Sequence, residues 1–416
     1  MLGAGTVGSQ IARLLVDNKA DLASRAGAEL ELVKVAVKNI NTKRVGIASS
    51  LLTDDAASVV NDPQIDLIIE VMGGISPAKE LILAALKNGK SVVTANKALL
   101  AKDGATLYEA AAKANVDLYY EAAVAGAIPI LRPLRESLVG DHVVRIMGIV
   151  NGTTNYILTK MDEEGTAFKD ALKQAQELGF AEADPTADVE GIDAADKAAI
   201  LAGLAFHSRV TDKDVYREGI SKITAADVKV AKTMEMVIKL LAITELTAEG
   251  EISVRVHPAL ISRNHPLAAV RESFNAVFVE AKSAGQMMFY GRGAGGEPTA
   301  SAVLGDLVAV ARHKVSGGVG PKESDYASLK IAPIGEIKTR YLIRLNVADK
   351  PGVLESVAHV FASHSVSIQT VRQSGAGDKA ELIVMTHHSS ESALSATVKD
   401  LSKLSAVSDV ASVLRV

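Results

Sequence analysis

Short apolar runs alternate with amphipathic stretches over the first third of the chain. Residues 32–37, 65–71, 91–94 and 116–121 are rich in Val and Ile and read as strands. Residues 7–18, 77–89 and 107–114 carry apolar positions at helical spacing. This alternation predicts βαβ units and a parallel sheet. From residue 128 to 295 the rhythm changes. Strands are predicted at 143–150, 254–258, 276–281 and 287–291, and helices at 155–164, 167–178 and 194–206. That is an α+β layer around one mixed sheet. A long helix follows at 299–313. Residues 314–338 hold Gly, Pro, Ser and Lys without a period, which is linker composition. The remainder reads as strand 340–347, helix 351–364, strands 366–373 and 379–386, helix 390–404 and strand 407–416. The order βαββαβ is ferredoxin-like.

The fold class is therefore α/β, with a Rossmann-type nucleotide-binding domain, an α+β substrate and dimerisation domain, and a ferredoxin-like module. The expected boundaries are 1–127, 128–320, a linker at 321–338, and 339–416, with helix 299–313 free to pack back on the first domain. A length of 416 residues suits such a division.

Composition removes several function classes. The formal charge is −4, from 45 basic and 49 acidic residues, so no net field draws the chain to nucleic acid or an anionic membrane. Aromatic residues are 4% and Trp is absent, which argues against a base-stacking platform. With no cysteine there are no disulfides, thiolate nucleophiles or thiolate metal sites. No apolar run reaches the ~18–20 residues of a membrane span. No basic segment followed by an apolar one opens the chain, so a cytoplasmic location is expected.

Gly3-Ala4-Gly5-Thr6-Val7-Gly8 fits G-x-G-x-x-G and leads straight into a helix. In a dinucleotide fold the first glycine makes the turn, the second admits the pyrophosphate and the third packs helix on strand. Helix N-terminal amides then face the phosphates. The motif should follow a strand of about five residues, yet only Met1 and Leu2 precede it. The expectation is that ~8–15 residues, the central strand among them, are missing, with lower stability and weaker cofactor binding as the result. After the second predicted strand stand Lys38, Lys43 and Arg44 rather than an acidic residue. Positive charge there favours the 2′-phosphate of NADP(H); NAD(H) stays open, because solvated lysines fit the same pattern.

Two features of the middle region carry candidate chemistry. Thr94-Ala95-Asn96-Lys97 lies at the carboxyl end of a predicted parallel strand, where open α/β sheets bind ligands. Lys97 there can meet a nicotinamide or a substrate anion, or simply start a helix. The second is Gly179-Phe180-Ala181-Glu182-Ala183-Asp184-Pro185, running on to Asp193 and Lys197. Asp193 and Lys197 stand i,i+4 and share a helix face. A surface ion pair is the plain reading. Against it, Glu182, Asp184, Asp188, Glu190 and Asp193 crowd one lysine; such a cluster can hold an ammonium group and keep the lysine charged and oriented. Glu121 with the carbonyls of Val124, Gly126 and Ile128 offers either an oxygen cage for a hard cation or a plain strand end. Gly291-Arg292-Gly293-Ala294-Gly295-Gly296 is a second Gly-rich loop before a helix. The histidines are scattered, and no transition metal is assigned.

Taken together, Gly179 to Pro185 continuing to Gly191-Ile192-Asp193-Ala194-Ala195-Asp196-Lys197 resembles the signature of homoserine dehydrogenases. Thr94 to Lys97, Asn151-Gly152-Thr153-Thr154-Asn155 and Gly293-Ala294-Gly295 fit the same family. The resemblance covers the chain apart from the first strand. It implies interconversion of L-aspartate 4-semialdehyde and L-homoserine with NAD(P)H. It implies Lys197 as proton donor to the aldehyde oxygen and Lys97 between nicotinamide and substrate. Glu182 and Asp193, grouped with Asp188, would bind homoserine. Gly3, Gly5, Thr6, Val7, Gly8, Lys38, Gly73, Gly179 and Gly295 would line the cofactor. Glu121, Val124, Gly126 and Ile128 match a structural sodium site.

Asp349-Lys350-Pro351-Gly352-Val353-Leu354 sits between a predicted strand and helix and resembles the ACT signature. Pro351 suits a first helical turn, and Gly352 lets backbone approach a ligand. The resemblance implies an effector site at Asp349, Gly352, Val353 and Leu354, feedback by L-threonine, and a homodimer or homotetramer. Two other readings stay open: a non-catalytic amino-acid sensor, and another ACT-bearing dehydrogenase. The intact Lys197, Glu182 and Asp193 speak against both.

Overall fold

The structure, a computed structural model, describes residues 1–44, 46–375 and 380–416. Its first layer is a parallel sheet. Leu67–Glu70, Ser91–Thr94 and Leu118–Tyr119 lie side by side, and Val35–Ala36 pairs with Leu52–Thr53. Between the two groups Met1 and Leu2 fill the central place: Leu2 bridges in parallel to both Ala36 and Glu70. Leu2 N–H donates to Ile69 O, and Val71 N–H donates back to Leu2 O. The central strand is thus present but only a bridge long. It brings the chain's α-amino group into the core, where it donates to Lys34 O at 2.7 Å and burial pushes its pKa down to about 5.

The glycine turn follows at once. A Cβ on Gly8 would meet Gly3 O at 2.5 Å, and one on Gly3, whose φ is +98°, would meet the Val71–Met72 backbone. These two glycines serve helix-to-strand packing. Gly5 has open space around it, as a phosphate approach requires. The long helix Gly296–Ser316 returns to this domain. Its Val303, Leu307 and Val310 pack in one cluster with Ile11 and Leu15 of helix Thr6–Asp17.

The second layer is an antiparallel sheet in the order Gly285–Arg292, Phe274–Ala281, Val143–Ile149, Met236–Leu246, Ile252–Ser262. Helices Gly152–Glu163, Ile192–Phe206 and Ala225–Thr233 join its core. Strand 236–246 is absent from the sequence reading. It is buried along most of its length, so its apolar run lacks the alternation that marks a half-buried strand.

At its far edge this sheet passes into the ferredoxin-like module, where Arg415 pairs in parallel with Ala259. The module's strands run Val407–Arg415, Tyr341–Val347, Ala380–Thr386, Ile368–Ser374, backed by helices Val353–Ser363 and Glu391–Leu401. The predicted strand start at Lys379 lies outside the described residues. The stretch expected to be a linker is tied down at several points. Leu329 N–H donates to Ser208 Oγ, Ile252 N–H to Lys330 O, and Ala332 N–H to Ile252 O.

Candidate active site

The two α/β layers face each other across a cleft of about 950 Å³. Its walls come from strand ends and helix starts, where backbone donors and side chains converge. Strand 67–70 ends in Glu70, which is fully buried. Glu70 accepts Thr94 Oγ1–H at 2.6 Å and the N–H groups of Met72 and Gly73. That fixes the turn presenting Gly73, at φ +71°, to the cleft. Asn96 caps helix Lys97–Ala114 by accepting Leu99 N–H, and donates to Gly74 O at 2.7 Å. The cap aims Lys97 across the cleft.

The opposite wall is helix Ile192–Phe206, begun by Gly191 at φ +74°. Lys197 and Asp193 share its buried face as their spacing predicts. Lys197 Nζ donates to Asp193 Oδ2 at 2.7 Å and to Val150 O at 2.6 Å. Lys97 Nζ reaches Asp193 Oδ1 at 3.1 Å. Asn151 Nδ2 donates to Asp193 Oδ2 at 2.9 Å and to Asp188 Oδ1 at 2.7 Å. Thr153 Oγ1–H completes the set, on Phe180 O at 2.6 Å and Asp188 Oδ2 at 3.1 Å.

The charges follow from this wiring. Burial works to raise the Asp193 carboxyl, but Lys197, Lys97 and the hydrogen bonds outweigh it and hold it well below the usual range. Asp193 in turn raises the Lys97 ammonium. Asp188 lacks a lysine of its own, and burial raises it despite Asn151. Burial and the Asp193 charge push Asp196 up to about 6.

The structure sorts the predicted residues. Val7, Gly73, Lys97, Gly179, Glu182, Asp188, Asp193, Lys197 and Gly295 line the cleft. Of the five crowded carboxylates, Glu182, Asp188 and Asp193 face it. Asp184 is turned instead onto Thr186, whose N–H and hydroxyl it accepts, and Glu190 packs against Gly219. Gly3 and Gly8 support the turn from behind, as described above. Lys38 is exposed just beyond strand 35–36. Sequence reasoning gave no role to Asn151 and Thr153, although it quoted their motif, and none to Glu70. It also passed over Lys239, a fully buried lysine on Asn155 Oδ1 and Val270 O. Asn155 Nδ2 donates to Glu272 O, so this pair anchors the loop that carries Glu272 and Ser273 to the cleft.

The Glu121 site needs a correction. Its carboxylate accepts Ile130, Leu131 and Arg132 N–H at 2.6–2.8 Å and so caps the following helical turn. Its backbone carbonyl accepts Val124 N–H at 3.4 Å. The carbonyls of Val124, Gly126 and Ile128 accept no hydrogen bond among the described residues. A set of backbone carbonyls fits a hard monovalent cation.

In the ACT-like module a smaller cavity, about 180 Å³, is lined by residues 347–354 with Gln373 and Leu382. Gly352 caps its helix at φ +87°. Asp349 accepts from Gln373 Nε2 at 3.0 Å, a partner the sequence motif did not contain.

Comparison with known proteins covers the whole chain. A family profile described as homoserine dehydrogenase matches residues 129–308, and one described as homoserine dehydrogenase, NAD binding domain, matches 3–121. An ACT domain profile matches 341–406. A homoserine dehydrogenase from Mycobacterium tuberculosis is 55% identical over 425 residues, covering 100% of this chain and 96% of that protein. The chain belongs to the homoserine dehydrogenase family. The crystal structure of a homoserine dehydrogenase from Thiobacillus denitrificans superposes with a TM-score of 0.95 at 41% identity, over 100% of this chain and 96% of that one. A hyperthermophilic archaeal homoserine dehydrogenase in complex with NADPH aligns with a TM-score of 0.63 at 28% identity, covering 74% of this chain and 95% of that one. The chain is accordingly an oxidoreductase with a nicotinamide-binding domain, and the C-terminal module is an ACT domain.

A carboxyl raised to about 6 disfavours the folded state once it ionises. The cost of Asp196 therefore grows as pH rises from the unfolded pKa near ~3.9 through about 6. Asp196→Asn should raise Tm at pH 7.5 and leave it unchanged near pH 4, measured by thermal unfolding across that range.

Proposed function

We propose that Lys197 is the proton donor of the homoserine dehydrogenase reaction and that Asp193 holds and aims it. An ammonium has three N–H donors. Two of those on Lys197 are engaged, by Asp193 and Val150 O, and the third remains for a substrate oxygen. That is the observation on which the reading rests. A bound dihydronicotinamide supplies a hydride to the aldehyde carbon of L-aspartate 4-semialdehyde. As negative charge develops on the oxygen, Lys197 stabilises it and then gives up its proton; solvent returns one to the neutral amine. For homoserine oxidation Lys197 first loses a proton and then takes the hydroxyl's.

Asp188 and Glu182 present carboxylates to the substrate's ammonium group, with Asp193 on its hydroxyl side. Lys97, tied to Asp193, sits where nicotinamide and substrate would meet. Gly3, Gly5, Thr6, Val7, Gly8, Gly73, Gly179 and Gly295 form and line the cofactor's path. Lys38, with Lys43 and Arg44 behind it, favours NADP(H) over NAD(H), in keeping with the NADPH bound by the archaeal relative. The carbonyls of Glu121, Val124, Gly126 and Ile128 would hold a structural Na⁺. Asp349, Gly352, Val353 and Leu354 form an effector site for L-threonine, which gives feedback inhibition. The chain acts as a homodimer or homotetramer, since strands Gly285–Arg292 and Ile368–Ser374 are exposed edges of the long sheet. A cytoplasmic location completes the reading.

Lys197→Ala should lower turnover by roughly 10²–10⁴-fold, the usual span for a general acid, with little change in cofactor affinity. Oxidation of NADPH with L-aspartate 4-semialdehyde measures it, and near-normal turnover would refute the role. Gly352→Val, which cannot hold φ +87° without strain, should keep the uninhibited rate and lose inhibition by L-threonine. Unchanged inhibition in that variant would remove the effector site from this loop.

A further inference from the structure

The ACT domain meets the substrate domain through a buried guanidinium. Arg415, 7% exposed, lies on the ACT strand that adjoins Ala259. It donates to both oxygens of Glu391 on its own domain, at 2.7 and 2.9 Å. Across the boundary it donates to Tyr216 Oη at 3.0 Å and pairs with Glu218 Oε2 at 2.9 Å. It thus holds one carboxylate on each side.

Glu218 begins a short path to the cleft. Glu218 N–H donates to Val256 O at 2.8 Å, which fixes the segment on the sheet. Two residues on, Ile220 N–H donates to Val189 O at 2.8 Å. Between them Gly219 lies flat against the next turn; a Cβ there would stand 2.3 Å from Val189 O and 2.6 Å from Glu190 Cα. Val189 follows Asp188, and Gly191, whose N–H donates to Asp188 O, opens the helix that carries Asp193 and Lys197. Residues 218–220 therefore brace the turn that sets Asp188 and the start of that helix.

We propose that Arg415 is a positioning residue for substrate binding, acting through Glu218 and the 218–220 backbone on the turn that bears Asp188. It rests on the reading of Asp188 and Asp193 as substrate ligands. The direction is specific. The path reaches the carboxylate wall and not the glycine turn, so substrate affinity should respond and cofactor affinity should not. It also gives the ACT domain a direct hold on the substrate site, because a shift of strand Val407–Arg415 pulls on Glu218.

A second ion pair across the same boundary serves as the control. Arg344 pairs with Asp227 at 2.6 Å, equally buried, but Asp227 caps helix Ala225–Thr233 and does not touch 218–220. Four variants of the full-length enzyme would be compared: Arg415→Met, Glu218→Gln, Asp188→Asn, and Arg344→Met combined with Asp227→Asn. KM for L-homoserine and for NADP⁺ would be measured in each. We expect Arg415→Met and Glu218→Gln to raise the homoserine KM about five-fold or more, the lower range of ordinary coupling between sites, with the NADP⁺ KM within about two-fold. The Arg344/Asp227 double variant should leave both unchanged. If Arg415→Met fails to fold, Glu218→Gln carries the test alone, since Glu218 is 41% exposed. An unchanged homoserine KM in Glu218→Gln, with Asp188→Asn raising it, would overturn the path. No effect of Asp188→Asn would instead overturn the reading of the substrate site. Equal rises of both KM values, or the same rise in the control, would reduce Arg415 to a general stabiliser.

Discussion

One buried carboxylate organises the active site. Asp193 is 11% exposed and sits between two ammonium groups, Lys197 at 2.7 Å and Lys97 at 3.1 Å. Each lysine comes from a different domain, one from the helix that starts beyond strand 91–94 and one from helix 192–206. Without Asp193 the two positive charges would face each other in a partly desolvated cleft. With it, Lys197 is pinned, with one N–H to spare. Much of the surrounding structure serves this arrangement. Asn151 both caps its own helix and donates to Asp193. Gly191 starts the helix in a left-handed conformation. Glu70 and Thr94 set the strand ends that launch Lys97.

Local pattern made the architecture readable. Strand 91–94 and the helices at 6–17, 78–87 and 192–206 stand within a few residues of their expected places. The i,i+4 spacing of Asp193 and Lys197 was enough to put them on one face. What sequence could not supply was context. Strand 236–246 hides because a central strand buried on both faces has no period-2 signal. Asn151 and Thr153 acquire meaning only when folding brings them to Asp188, 35–37 residues away. The Glu121 carboxylate looked free to bind a cation, yet three backbone donors from 130–132 claim it. Crowding of five carboxylates in sequence became three in space, because Pro185 and the short turn after it direct Asp184 and Glu190 elsewhere.

In the middle of the parallel sheet Leu2, its side chain fully buried, bonds Ile69 O and Val71 N–H on one side, while Met1 O and Gly3 N–H bond Ala36 on the other. At the far edge of the second layer, Leu342, Ile383, Met385 and Leu414 of the ACT domain share a core with the substrate domain. A single parallel pairing joins two sheets, and ion pairs from Arg415 and Arg344 cross beside it. Charge-assisted hydrogen bonds of this kind add geometric specificity to the junction.

The most direct test is to neutralise the organising charge without removing its shape. Asp193→Asn keeps the size of the side chain and leaves both lysines in place. Turnover in L-homoserine oxidation and the dissociation constant for NADP⁺ would be measured together. The account predicts a fall in turnover of about 10²-fold or more, with NADP⁺ affinity within about two-fold of the parent. Near-parental turnover in a folded Asp193→Asn enzyme would contradict it.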